Sequence, residues 1–176
     1  MTTARATRLT RNDWLMAGRE ALATTGPAAL RAEALARQIG TTKGSFYWHF
    51  RDLPQFQQAL IAGWEETALQ ALLEAETRPT PAAALLHLAQ GINAGRLMEG
   101  AMRAWALSYP PAAEATGRVD AARLGRITAH LHAIGVTNPD MAHVLRAAMQ
   151  GLAALDTPER ADSAISSLVD LILALR

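Results

Sequence analysis

"IGTTKGSFYWHF", Ile39 to Phe50, packs four aromatic rings, the chain's one lysine and a histidine into twelve residues. Elsewhere the 176 residues are poor in aromatics and rich in alanine and leucine. The stretch divides by position. Gly40 permits a tight reversal, and Thr41 can cap a short helix running through about His49. Phe46 and Phe50 are four apart and share an inward face. Tyr47 and Trp48 fall at the outer rim. Lys43 and the hydroxyls of Thr41, Thr42 and Ser45 sit at the helix start, where unpaired backbone N–H groups favour an anion such as phosphate.

Just upstream, Leu30 to Gln38 reads as a helix with Ala32, Leu35, Ala36 and Ile39 inward and Arg31 and Arg37 outward. Helix, glycine turn and short helix make the helix-turn-helix pattern. Its second helix lays one face in a major groove about 12 Å wide. Further upstream, Thr10 and Asp13 form a capping box, with Leu9 and Trp14 at the staple positions. That helix ends at Gly26 and Pro27.

Downstream, helical spacing predicts elements over 53–76, 82–97, 99–109, 112–135, 139–155 and 158–175. A break falls at 77–81, Gly91 is a weak point, and Gly135 is a stop. Asn138-Pro139 and Thr157-Pro158 are start signals. No alternating strand stands out. The expected fold class is all-α, with about nine helices: a three-helix N-terminal domain at 1–50 and a helical bundle at 51–176.

The net charge of +1 conceals a division. Residues 1–51 hold eight Arg or Lys against three Asp or Glu, a balance of +5; residues 52–176 hold nine against thirteen, a balance of −4. A basic module before a mildly acidic one points to a polyanionic partner at the N-terminal end. Arg5, Arg8 and Arg11 suggest an arm reaching the DNA backbone or minor groove. The chain has no cysteine, which excludes disulfides, thiolate catalysis and Cys-ligated zinc. It shows no membrane span, no metal-ligating cluster, no nucleophile elbow and no glycine-rich phosphate loop. A soluble, cytoplasmic, non-enzymatic protein without cofactor or metal is expected.

Residues 10–60, above all "ALARQIGTTKGSFYWHFRDLPQF", resemble the N-terminal domain of TetR/AcrR-type transcriptional regulators. The shared run is Gly40, a small polar residue at 42, Lys43, Gly44, a hydroxyl at 45, Tyr47, His49 and Phe50. "MRAWALSYP" and "RVDAARLGRITAHLHAIGV" resemble regulatory domains of the family more loosely. Arg31 stands where the family often places Thr or Ser, and it is the substitute for a phosphate-contacting cap. Arg51 and Asp52 follow Phe50 where many members carry lysine.

The resemblance implies a ligand-responsive regulator binding a palindromic operator as a dimer, most often a repressor, with an activator of the same fold as the alternative. The candidate DNA-binding residues are Arg31, Thr41, Thr42, Lys43, Gly44, Ser45, Tyr47, Trp48 and His49. Thr42 and Ser45 have a capping alternative, His49 a packing one, and Lys43 a choice between phosphate and guanine. Trp64, His87, Met98, Met102, Trp105, Tyr109 and His130 are candidates for a small-molecule effector pocket, with core packing the alternative for each. In the last two helices, Met141, Leu145, Ala148, Leu152, Ile165, Leu168 and Ile172 are candidates for a homodimer interface, an intramolecular bundle being the other reading. A helical enzyme and a structural helical dimer share such a bundle but leave the basic N-terminal cluster unexplained.

Overall fold

The computed structural model describes residues 9–155 and 157–174; Arg5 and Arg8 lie outside them. Among the described residues the chain is all-α: α1 Arg11–Thr25, α2 Ala32–Gln38, α3 Lys43–Tyr47, α4 Leu53–Glu76, α5 Pro81–Ala94, α6 Arg96–Ala106, α7 Pro110–Ala133, α8 Pro139–Leu155 and α9 Pro158–Ala174. Two compact units result, the first ending at Ala62 and the second beginning at Gly63, so α4 contributes residues to both.

The first unit is built around rings. Phe46 lies at the hub, its ring centroid 5.3 Å from those of Trp14, Phe50 and Phe56. All four rings are buried, with Leu22, Leu30, Leu35 and Leu60 around them. The capping box forms as expected: Thr10 N–H donates to Asp13 at 2.7 Å, and Asp13 N–H donates to the Thr10 hydroxyl. Gly18 lets α1 approach α4. A Cβ there would lie 2.5 Å from Phe56 Cζ.

The turn after α2 closes as a Schellman motif. Gly40 takes φ +70°, Thr41 N–H donates to the Ala36 carbonyl, and Gly40 N–H donates to that of Arg37. Three local expectations are corrected. Leu30 lies outside α2, at the end of a 3-10 turn over Pro27–Ala29, and Arg31 is the N-cap. Thr42, not Thr41, occupies the N-cap of α3. The helix stops at Tyr47, because Trp48, His49 and Phe50 turn the chain toward α4. Asp52 then receives the Gln55 N–H at 2.8 Å as α4 starts.

In the second unit α5 packs against α7, α8 and α9. The core there is aliphatic, including Leu85, Leu88, Leu131, Leu145, Ile165 and Val169 among small alanines. The boundary between α5 and α6 falls at Gly95, so Arg96 and Leu97 belong to α6 rather than to its predecessor. Gly135, at φ +90°, ends α7 with Val136 N–H on the Leu131 carbonyl. Charged groups also lie inside this unit. Glu99 on α6 accepts two hydrogen bonds from Arg123 on α7, at 2.6 and 3.0 Å, and both side chains are buried. Arg103 reaches Asp120 at 2.7 and 3.0 Å, and Arg146 on α8 approaches the same carboxylate at 3.5 Å. Burial raises the Asp120 carboxyl, but hydrogen bonds from Arg103 and the surrounding guanidiniums outweigh it and hold the group below its ordinary range.

Candidate nucleic-acid interface

The packing of Phe46 decides which side chains of α3 stay outside. With Phe46 fully buried, its neighbours in sequence are turned away from the core. Tyr47 is 51% exposed and Trp48 84%. Tyr47 still lies edge-on against Phe46, which fixes the ring while leaving its hydroxyl at the rim. Thr42, Lys43 and Gly44 are exposed, Thr41 and Ser45 half-buried, and Arg31 exposed at the start of α2. The expected DNA-contacting residues from Arg31 to Trp48 thus lie at the N-cap of α2, in the turn before α3, and on α3 and its C-cap. His49 is half-buried; nearby, the hydrogen bonds from Thr10 hold the Asp13 carboxyl below its ordinary range.

Thr42 makes no side-chain cap bond, so its hydroxyl is uncommitted by the helix it precedes. Gly44 is helical, and a Cβ there would meet only Thr42 Oγ1 at 3.7 Å, an ordinary contact. No neighbouring helix comes close enough to Gly44 to require a glycine there.

Arg11 is part of α1 rather than of an arm, with its guanidinium 4.8 Å from the centre of the Phe50 ring. Arg51 leaves the end of the aromatic run strongly exposed, though paired with Asp52 at 2.9 Å. Sequence spacing did not reveal the partner of Lys43. Its ammonium donates to Glu33, in the first turn of α2, and both side chains are more than half exposed. That hydrogen bond is the main cause lowering the Glu33 carboxyl and raising the Lys43 amine, so both are charged at neutral pH. The available signal was compositional: Glu33 is the one acidic residue between Arg31 and Arg51.

The candidate effector residues are scattered in character. Trp64, Met102 and Trp105 are buried, and Tyr109 stacks on Trp105 at 5.0 Å. Met98 is half-buried. His87 lies 3.8 Å from Glu74, and His130 lies 3.3 Å from Glu76. None of the seven lines the open groove of about 470 Å³ formed by Leu69, Leu72 and Leu73 of α4 with Ala122, Gly125 and Arg126 of α7.

The interface expectation is likewise redrawn. Leu145, Ile165 and Ile172 fill the core of their own unit, whereas Met141, Ala148, Leu152 and Leu168 are half-buried. The exposed large apolar residues of α8 and α9 are Val144, Leu155 and Leu171. Among the described residues no three His, Asp or Glu side chains gather as a metal would require, and no helix is long and apolar enough to cross a membrane.

A family model described as "Bacterial regulatory proteins, tetR family" matches residues 15–52, from within α1 to Asp52. No curated protein sequence matches the chain. Among solved structures, a transcriptional regulator from Rhodococcus sp. Rha1 is similar at TM-score 0.78 and 21% identity, over 94% of this chain and 97% of that one. A TetR-family regulator from Streptomyces coelicolor is similar at TM-score 0.76 and 15% identity, over 93% and 94%. A ketosteroid transcriptional regulator of Mycobacterium tuberculosis is similar at 0.72 and 14%, over 99% and 95%. At these identities the structures share a fold with this chain.

Proposed function

We propose that this chain, a TetR/AcrR-family regulator by its N-terminal domain, is a ligand-responsive repressor that binds a palindromic operator as a homodimer. The observation that carries the reading is the exposed face of α3. Lys43 and Tyr47 project from the helix and Trp48 from its C-cap, and the exposed Gly44 lies between Lys43 and Tyr47. Gly44 keeps the backbone at the start of that exposed face open to close approach. The division of charge at residue 51 places the basic excess on the same module. In this reading residues 1–50 contact DNA, while 51–176 take the partner subunit and the effector.

One short helix reads few bases, and two related by a two-fold axis read a palindrome. The apolar row Val144, Ala148, Leu152 and Leu155 on α8, with Leu168 and Leu171 on α9, supports pairing through these helices. The effector enters the second unit, for which the groove between α4 and α7 offers apolar space. Because α4 has residues in both units, its displacement is the means by which an effector changes the spacing of the two reading helices. Linkage then requires operator DNA to weaken effector binding by the same factor.

Selection from a random duplex library with purified protein tests the reading. An inverted repeat is expected, lost on replacing Lys43→Ala together with Tyr47→Phe. No enriched sequence at low salt would overturn the DNA-binding reading. Sedimentation at micromolar concentration separates the assembly claim: twice the chain mass is expected, and Leu168→Asp or Leu171→Asp should halve it.

A further inference from the structure

We infer that Glu33 is a specificity-determining residue, and that the Lys43–Glu33 pair reads one G·C base pair in each half-site as a unit; the inference rests on the DNA-binding reading above.

Lys43 opens α3, and the first residues of a recognition helix are those that reach base edges. Its ammonium lies on the Glu33 carboxylate, so whatever meets one meets the other. A lysine bound for phosphate alone is poorly served by this arrangement. A phosphate brought to Lys43 also faces the Glu33 charge. The sole carboxylate of the segment from Arg31 to Arg51 sits on the sole lysine, and it subtracts from nonspecific attraction.

A base pair offers what the ion pair lacks. Across the major groove a G·C pair presents guanine N7 and O6, both acceptors, followed by the cytosine N4 amino donor. An ammonium next to a carboxylate matches that order: Lys43 donates to the two adjacent acceptors and Glu33 accepts from the donor. An A·T pair presents acceptor, donor, acceptor and then a methyl group. On an A·T pair the ammonium finds one acceptor, adenine N7, instead of two, and a carboxylate on the adenine amino group lies beside the thymine O4 acceptor, so G·C is the better match. Both side chains are more than half exposed and bonded to each other, so the reader is held together before DNA arrives.

The experiment compares library selection and salt-dependent binding for wild type, Glu33→Ala and Glu33→Gln. Thermal melting checks that these exposed replacements leave the fold intact. The expected wild-type site fixes a G·C pair at one position per half-site. Glu33→Ala should lose discrimination at that position, on the order of tenfold or more, while binding an unrelated duplex more tightly as one negative charge is removed. Equal shifts on every duplex, with the selected sequence unchanged, would reduce Glu33 to a background charge and overturn the inference while leaving the DNA-binding reading standing. Relaxation at an A·T position would overturn the base assignment. If wild type enriches no sequence, the DNA-binding reading fails first and this inference falls with it.

Discussion

Around Phe46 the interior is made of rings; around Leu145 it is made of leucine, isoleucine and alanine, with charged groups nearby in the same unit. Four rings at 5.0 to 5.3 Å, mostly edge to face, can meet in few ways. They hold a five-residue helix that has too few turns to be stable by itself. The second unit has less shape to specify its register. Alanine-rich faces slide more easily than interlocked rings, and the ion pairs of Glu99 with Arg123 and Asp120 with Arg103 join α6 to α7 at defined points. Under the proposed function, the first interior fits a fixed reading surface and the second an interior that accommodates an effector.

If ionic groups specify the second interior, the largest effect comes from removing the hydrogen-bonded partner of one of them. Arg123→Met leaves the buried Glu99 with only Arg103, at 3.8 Å, in reach and should cost about 3 kcal/mol. Glu99→Leu combined with Arg123→Met should recover most of that loss in thermal melts. Failure of the double variant to recover would mean that the pair contributes geometry no apolar replacement supplies, and the contrast between the two interiors would weaken.

In the ring-filled unit the matching perturbation is an added methyl. Gly18→Ala drives a Cβ against Phe56 and Leu60 and should cost about 1–3 kcal/mol, with DNA affinity falling only as far as unfolding explains. Denaturant titration beside binding curves checks this.

Gly44→Ala sharpens the distinction between packing and surface. It should leave stability unchanged or raise it by up to about 1 kcal/mol, yet weaken operator binding. A variant that binds as well as wild type would remove the close-approach argument.

The smallest effect is in acid. Because the folded Asp120 carboxyl lies below its ordinary value of 3.8, its stabilisation is fully present above that pH. It is lost as pH falls through the lower folded value. Asp120→Asn should start less stable and show a shallower decline below pH 3.8, measured by circular dichroism melts.

The parts legible in the sequence were those governed by local chemistry. Thr10 with Asp13, Gly40, Gly135 and Pro139 each set a boundary through neighbours a few residues away. Leu53 to Glu76 was readable because its apolar residues keep one period throughout. The split of Phe46 and Phe50 from Tyr47 and Trp48 followed from spacing alone. What escaped was decided between elements. The end of α3 depends on Phe50 turning in to join Phe56. Lys43 meets Glu33 across the turn, at a separation no single-helix period contains. Glu99 and Arg123 are 24 residues apart on different helices. Leu145, Ile165 and Ile172 looked suited to a partner because apolar residues cover more than one face of α8 and α9, and period alone does not say which face a chain covers itself.

The exposure of Trp48 has an optical consequence. The other three indoles, Trp14, Trp64 and Trp105, are no more than 6% exposed, against 84% for Trp48. A collisional quencher such as iodide therefore reaches one emitter far more readily than the rest, and that emitter stands at the edge of the proposed reading face. The native protein carries its own fluorescent probe there: a duplex seated on α3 should shield Trp48 from iodide and shift its emission toward the blue, so occupancy can be followed in solution without a dye on either molecule.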